Sequence, residues 1–462
     1  MKILFIYPNA THQEAISTGL AYISGWLKKK KRNYDIKIFD FTWGARKQEC
    51  YDFIKEFEPD VIGITCVTFD FYFCKDLIKG IKKVSNALIV LGGVHPTIAP
   101  EQSIKYADII CIGEGERSFE ELIEKLENNE DYTKINNLWV KKNNIIHKNQ
   151  VGNLIENLDL LFCDRDLYDI DKYVKARNYT MDIYVGRGCP YDCTYCINYY
   201  HRNLYQGKGK FLRLSSPENT INEIKNLVQR FHLKKIICPD DTLTYSKKWL
   251  FKFCDLYKKE IRLPFVCNAR VENIDDEVCK ALKQANCDAL HIGVESGNEK
   301  LRKTVLNRHM SNKQIIKVFQ LCKKYGIKTL SFNMVGIPYE TKEDILKTIQ
   351  LNRIIEPTEL QVTIYHPFPG TYLYDHVCKK GWIIKKKIDD LQYASIMDYP
   401  QINAKTIKKM HDRFAFDVFV KIDLFKAIRM LFQGKFYNKY VDYRPKIPLT
   451  LRKIIQKIAN AV

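Results

Sequence analysis

Short apolar runs alternate with amphipathic segments in two successive blocks of the chain. In the first block Ile3–Tyr7, Asp35–Phe39, Val61–Thr65, Leu88–Leu91 and Asp108–Ile112 read as strands. Between them, Leu20, Ile23 and Leu27 share one helical face, and Phe119, Leu122, Ile123 and Leu126 share another. Five buried strands alternating with helices predict a parallel, doubly wound, Rossmann-like sheet. A hairpin, Leu138–Val140 with Ile145–His147 around a Lys-Lys-Asn-Asn turn, closes this domain at residues 1–148. Residues 149–178 are rich in Asp, Leu and Tyr without a clear period and read as a linker.

The second block, residues 179–385, repeats the alternation in longer units. Its strands are expected at Asp182–Val185, Lys235–Cys238, Phe265–Asn268, Ala289–Val294, Leu330–Val335 and Gln361–Tyr365. Ser216-Pro217-Glu218 is a helix start, an N-cap followed by Pro in the first turn. Ile221, Ile224, Val228 and Phe231 are that helix's apolar face. Six strand–helix units predict an open, partial (β/α)6 TIM-type barrel, whose site gathers at the carboxyl ends of the strands. Residues 386–462 change character to a small helical region, with helices at Asn403–Val420 and Leu424–Phe432. Leu449–Val462 reads as a basic amphipathic helix, with Leu451, Ile454, Ile455 and Ile458 on one side.

Composition narrows the class. Of the 462 residues 46% are hydrophobic and 28% charged, an ordinary globular balance. No stretch reaches the roughly 18 apolar residues of a membrane span. MKILFIYPN reads as a buried first strand rather than a signal peptide, so a cytoplasmic protein is expected. The 15 cysteines are odd in number and scattered, which argues against a disulfide framework and for a reducing compartment. The net charge of +20 is spread along the whole chain, and a lysine-rich surface is favoured over a nucleic-acid footprint. The basic C-terminal helix is read as docked on the protein, with contact to an anionic membrane surface as the alternative.

Candidate chemistry lies at the predicted strand ends. In the first block these carry Asn9, then Thr65, then Gly92-Gly93-Val94-His95-Pro96, then Gly113-Glu114-Gly115-Glu116. Paired glycines allow a bulky ligand near the backbone, and helix N-termini suit phosphate. None is a G-x-G-x-x-G fingerprint, which disfavours NAD. In the second block VGRGCPYDCTYCIN holds Cys189, Cys193 and Cys196 as C-x3-C-x2-C, directly after the first strand. A zinc site would normally supply a fourth ligand, as would most iron–sulfur clusters, and His201 lies outside any regular spacing. Three ligands on a four-iron cluster leave one iron open.

This array, with the aromatic Tyr195 before the last cysteine, resembles the signature of the radical S-adenosylmethionine (radical SAM) enzymes. The resemblance implies a [4Fe-4S] cluster on the three cysteines, whose open iron chelates the amino and carboxylate groups of SAM. An electron from the cluster then cleaves SAM to a 5′-deoxyadenosyl radical. It also implies that SAM lies against later strand ends in this chain. Asp240 and Asp241 would approach the methionine end, though two adjacent carboxylates could also hold a substrate, and Arg270, by its fork of donors, suits bidentate pairing with a carboxylate. Glu295 and Ser296 of a G-x-E-S-G segment would approach the ribose or amino-acid part, and Gly336 of a G-x-P-x-E-T run the adenine. His366-Pro367-Phe368-Pro369-Gly370-Thr371 resembles the family's barrel exit.

LGGVHPTIAPEQ followed by ADIICIGEGE resembles the cobalamin (vitamin B12)-binding domain that precedes the barrel in one radical SAM subfamily, the class B methyltransferases. The resemblance brings Asn9, Thr65, Gly92, Gly93, His95, Gly113, Glu114 and Gly115 to cobalamin. Asp40-Phe41-Thr42-Trp43-Gly44 lacks the His of a D-x-H-x-x-G loop. Cobalamin would then sit without a protein histidine below cobalt. The implied activity is radical activation of a small molecule, followed by methyl transfer from methylcobalamin. A flavodoxin or ferredoxin would donate the electron. Alternatives are a non-methylating cyclase or rearrangement enzyme, an RNA-modifying enzyme, and a non-catalytic cobalamin sensor.

Overall fold

The computed structural model describes residues 1–29, 34–384 and 395–428. The chain forms two compact units, residues 1–176 with 200–211, and residues 177–199 with the chain from 212 onward.

Among its described residues the first unit is built on seven strands: β1 Lys2–Tyr7, β2 Asp35–Asp40, β3 Val61–Thr65, β4 Leu88–Gly92, β5 Ile109–Cys111, β6 Leu138–Lys142 and β7 Ile145–Lys148. Their order is β2-β1-β3-β4-β5-β6-β7. The first five are parallel, and β6 and β7 add an antiparallel hairpin at the edge. Nearly every side chain of β1 and β3 is buried, because helices cover both faces. On one face Leu4, Ile6, Ile62 and Ile64 pack with Ile54 and Phe57 of helix Lys47–Phe57 and Leu77 and Ile78 of helix Phe71–Ile81. On the other, Phe5 meets Phe119 of helix Glu116–Glu127 at a ring distance of 5.5 Å. The strand order reverses between β1 and β3, so their carboxyl ends frame the crevice where such sheets bind ligands.

Residues 149–176, read above as linker, pack within this unit. Helix Ile170–Ala176 sends the Tyr173 hydroxyl to Asp40 Oδ2 at 2.5 Å and Thr42 Oγ1 at 2.8 Å. Asp164 accepts from Ser24 Oγ at 2.6 Å and from Lys28 Nζ at 2.7 Å. Gly25 leaves the space for this segment, since a Cβ there would stand 1.9 Å from the Phe162 carbonyl oxygen. These are contacts between side chains far apart in sequence, so no local period betrays them.

Among its described residues the second unit holds eight strands: β8 Thr180–Asp182, β9 Gly186–Arg187, β10 Arg213–Leu214, β11 Lys235–Cys238, β12 Phe265–Ala269, β13 Cys287–Glu295, β14 Lys328–Val335 and β15 Glu359–Ile364. Six of them form a parallel sheet ordered β15-β14-β13-β12-β11-β8, and β9 pairs with β10 in a separate antiparallel ribbon. This is an open half-barrel rather than a closed ring. The first strand ends earlier than the expected Val185. After Ile183, which donates to the Ile237 carbonyl, the amides of Val185 and Gly186 turn to the Asp240 carboxylate. That exchange ends the ladder and starts the ribbon.

Helices follow the strands as the caps dictate. Ser216 Oγ accepts from Asn219 N at 3.1 Å and starts Pro217–Phe231. Ser311 with Gln314, and Thr341 with Asp344, make capping boxes for Asn312–Lys324 and Lys342–Ile355. Helix Ala404–Phe419 buries Ile407, Phe414, Val418 and Phe419 against Val335, Ile349 and Ile364. Residues 424–428 are helical, while the rest of Leu424–Phe432 and all of Leu449–Val462 lie outside the described residues. Among the described residues no helix is long and apolar enough to cross a membrane.

Candidate active site

The three cysteines sit in the loop between the end of β9 and helix Ile197–Leu204. Gly188 turns this loop at φ 85°, a conformation costly for any residue with a Cβ. Cys189 and Cys193 are buried and Cys196 half-buried. Burial pushes the Cys189 thiol up to about 12 and the Cys196 thiol up to about 11. Thiols in such a place need a cation or a metal to ionise.

The second unit stitches the loop down from three sides. Asn307 Nδ2 donates to the Asp192 carbonyl at 2.9 Å, and Thr194 Oγ1 donates to the Val305 carbonyl at 2.5 Å. Asn198 Nδ2 donates to Asp241 Oδ2 at 2.8 Å and lies 3.7 Å from Cys196 Sγ. Arg270, at the end of β12, donates from Nη1 to Cys193 Sγ at 3.1 Å. Its guanidinium lies over the Tyr191 ring at 3.6 Å, and Tyr191 donates to Asn273 Oδ1 at 2.8 Å.

Donors aimed at Cys193 and Cys196 suit thiolates rather than thiols, so the residues present fit a cluster with negatively charged ligands. Among the described residues no three His, Cys, Asp or Glu side chains gather tightly enough to hold a single ion. A four-iron cluster gives each thiolate its own iron and asks for wider spacing.

Asp240 accepts from Val185 N at 3.1 Å and Gly186 N at 2.7 Å, and Asn268 donates to its carbonyl at 3.0 Å. Burial raises its carboxyl to about 7 against those amides. Here Asp240 shapes the approach to the cysteine loop, and Asp241 latches it through Asn198. The bidentate partner expected for Arg270 is Glu272, at 2.6 Å from Nη2 and 3.4 Å from Nε.

Glu295 closes β13 beyond a register shift after Gly293, at φ 66°. The bulge re-aims its side chain inward, where Arg308 Nη1 meets Oε1 at 2.7 Å. The same nitrogen donates to Tyr195 OH at 3.2 Å, and Nη2 donates to the Gly293 carbonyl at 2.9 Å. Burial raises the Glu295 carboxyl, with Arg308 opposing it. Ser296 is fully buried, and Arg302 donates to its carbonyl. Gly297 N donates to Thr348 Oγ1 at 2.8 Å. Gly336 stands at φ 76°, donates to Glu340 Oε2 at 2.6 Å and accepts from Tyr399 OH at 2.8 Å. A Cβ on it would stand 2.9 Å from Ile407.

In the first unit, Asn9 is buried at φ 33° and donates to Thr42 Oγ1 and the Gln13 carbonyl, both at 2.7 Å. Thr65 ends β3 beside Gly93, where a φ of 100° and an added Cβ only 2.8 Å from the Cys66 carbonyl oxygen exclude a side chain. Gly92 is less tight, with Cys111 Cβ at 3.6 Å from an added Cβ. His95 is buried against Phe71, ring centroids 4.1 Å apart, and among the described residues neither ring nitrogen meets a hydrogen-bond partner. Gln102 lies close enough to favour the charged ring, yet burial prevails and lowers it to about 4, which leaves the ring neutral.

The expected openness at Gly113 is filled from within the unit. An added Cβ would meet Tyr205 OH at 1.8 Å, and Glu114 N donates to that hydroxyl at 2.7 Å. Gly115 precedes helix Glu116–Glu127 and faces Ile23. Sequence reasoning passed over Arg308, Asn198, Tyr191 and Tyr205. Arg308 lies in an unremarkable charged run 13 residues beyond Glu295, and only the tertiary fold aims it inward.

The radical SAM superfamily model matches residues 183–351, and the B12 binding domain model matches residues 9–123. The chain therefore carries a B12 binding domain ahead of a radical SAM domain. It is a radical SAM enzyme, and the cofactors of its two domains are a [4Fe-4S] cluster with SAM, and cobalamin. Enzymes of this superfamily draw on an electron donor and act on small substrates.

An uncharacterized methyltransferase of Pyrococcus horikoshii is 29% identical over 399 residues, 83% of this chain and 84% of that protein. The anaerobic magnesium-protoporphyrin IX monomethyl ester cyclase of Rubrivivax gelatinosus is 26% identical over 399 residues, 82% of this chain and 70% of that one. The radical SAM methyltransferase TsrM from Kitasatospora setae shares the fold at a TM-score of 0.71 and 16% identity, covering 84% of this chain and 77% of its own. The cobalamin-dependent radical SAM enzyme OxsB does so at 0.72 and 14%, covering 96% and 72%.

Proposed function

We propose that this enzyme methylates an unreactive position of a small molecule, with Cys189, Cys193 and Cys196 as the three protein ligands of its cluster. The observation that carries the reading is the buried three-cysteine loop with Arg270 and Asn198 donating toward its sulfurs, in a chain that also holds a B12-binding domain. When bound, the cluster supplies the electron that splits SAM, and methylcobalamin supplies the methyl group. The chain's own residues position and exclude water. Asp240 and Asn198 hold the loop's shape, while Glu295, Arg308 and Tyr195 form a buried charged wall beside it. Ser296 and Gly336 belong to turns at the same strand edge.

In the first unit the carboxyl ends of β1, β3 and β4, carrying Asn9, Thr65, Gly92 and Gly93, are the proposed cobalamin edge, together with His95, Glu114 and Gly115. Gly113 would serve it only indirectly, through Tyr205. A flavodoxin or ferredoxin in the cytoplasm is the proposed electron donor. Peripheral membrane contact through Leu449–Val462 is the secondary proposal for the tail.

Incubation of the reduced, reconstituted enzyme with SAM and candidate acceptors tests the reaction type. Methyl transfer yields S-adenosylhomocysteine together with 5′-deoxyadenosine. Turnover giving 5′-deoxyadenosine without S-adenosylhomocysteine would instead favour ring formation or oxidative rearrangement, a second reading that the relatives named as cyclases support.

A further inference from the structure

We propose that Arg270 sets the reduction potential of the cluster through Cys193, and does not clamp the carboxylate of SAM. The inference rests on the cluster reading above and deepens it.

Three contacts fix the guanidinium. Glu272 occupies the edge formed by Nε and Nη2, at 3.4 Å and 2.6 Å. Nη1 is turned to Cys193 Sγ at 3.1 Å. One face is covered by Tyr191, 3.6 Å from guanidinium carbon to ring centroid. Tyr191 itself lies between Cys189 and Cys193, so the cysteine loop and the arginine hold one another. Arg270 is only 7% exposed. Three of its five N–H groups are spent on a protein carboxylate and a sulfur, and the Nε–Nη2 edge that would clamp a second carboxylate is taken.

The electrostatic consequence follows from charge. Reduction adds an electron to a cluster that already carries thiolate charge, and a buried cation with an N–H···S bond stabilises the added charge. Hydrogen bonds to ligand sulfurs are among the factors that set such potentials. Low solvent exposure strengthens the effect. The enzyme gains a cluster that accepts an electron more readily from a low-potential one-electron donor, and that electron would pass to the SAM sulfonium as its carbon–sulfur bond breaks, so each cleavage draws one electron from the donor. Arg308 bears on Cys193 through its charge alone, because its Nη1 goes to Glu295 and Tyr195 and its Nη2 to the Gly293 carbonyl.

The test is a redox titration of the anaerobically reconstituted full chain in the absence of SAM, following the spin signal of the reduced cluster. Wild type, Arg270→Gln, Arg270→Lys and Glu272→Gln are compared, each with iron counted and with SAM affinity measured separately. Arg270→Gln should keep its four irons and move to a more negative potential by at least a tenfold change in the reduction equilibrium, about 59 mV for one electron. Arg270→Lys should fall between, and Glu272→Gln, which removes the counter-charge, should move the other way.

A potential unchanged in Arg270→Gln, with SAM affinity lost, would overturn the proposal in favour of a carboxylate clamp. Should Arg270→Gln lose its cluster, an unshifted Glu272→Gln potential would overturn it. A wild-type chain that takes up no four-iron cluster would overturn the underlying cluster reading as well.

Discussion

Arg308 donates through Nη1 to Glu295 Oε1 at 2.7 Å, and both side chains are almost wholly buried. Glu295 reaches this partner from a left-handed backbone at φ 66°, beyond the β13 bulge. A charge pair held in a strained turn at a strand's carboxyl end is a feature of a site rather than of a core.

Removing one half of the pair leaves the other charge buried alone. Glu295→Ala should lower stability to urea by about 3 to 5 kcal/mol. Both residues carry a Cβ, so the backbone cost is common to the two and the difference reports the pair. Glu295→Ala combined with Arg308→Met should regain a large part of that loss. A double variant as unstable as the sum of its singles would show that the two residues are not coupled.

Gly297 is packed on the backbone of helix Lys342–Ile355. A Cβ there would stand 2.3 Å from the Lys347 carbonyl oxygen and 2.5 Å from Thr348 N, and neither can swing away. Gly297→Ala should therefore cost about 3 kcal/mol or more, as an overpacked site does. Thr348→Val, which removes the hydroxyl that accepts from Gly297 N and donates to the Asp344 carbonyl, should cost about 1 to 2 kcal/mol. Thermal unfolding of both variants checks the ranking.

Burial raises the Glu340 carboxyl to about 8, while Gly336 N and Ile337 N donate to it and favour its charged form. The unfolded chain releases that proton near the ordinary glutamate value of 4.5. Between about pH 4.5 and 8 the folded state therefore binds more protons, and stability falls as pH rises, by up to about 1.4 kcal/mol per pH unit. Glu340→Gln keeps an acceptor for Gly336 N and cannot titrate. Urea midpoints at pH 5.5 and 8 should fall less in the variant than in wild type. Equal slopes would remove Glu340 as the source.

In the first unit, Gly113 at φ 78° yields its side-chain space to Tyr205 OH. Gly113→Ala should cost about 2 kcal/mol or more, part of it strain at positive φ. In a Tyr205→Phe background the same substitution should cost about 1 kcal/mol less, because the oxygen it strikes is gone. Chemical denaturation of the four chains measures the coupling.

Both sheets were legible because their strands are long apolar runs with turn residues at each carboxyl end. Val61–Thr65 and Lys235–Cys238 match the expected bounds to the residue. The cysteine loop was legible from spacing alone. What escaped has no local period. The Tyr173–Asp40 bond joins residues 133 apart, and the Asn198–Asp241 bond joins residues 43 apart. The first strand of the half-barrel was drawn too far along because Ile183–Val185 is apolar. Only the Asp240 carboxylate, supplied by another strand's end, diverts those amides from the ladder. Protein partners stand beside Arg270 and Gly113, where ligand contacts were expected, and a sequence cannot show that a tyrosine hydroxyl lies against a glycine.

The most direct test of the account is made on the full chain reconstituted under anaerobic conditions. Iron, sulfide and cobalamin are counted, and the reductant-dependent cleavage of SAM is followed as 5′-deoxyadenosine. The account predicts one four-iron cluster and one cobalamin per chain, with 5′-deoxyadenosine formation abolished in Cys193→Ala. A Cys193→Ala chain that cleaves SAM at the wild-type rate would contradict it.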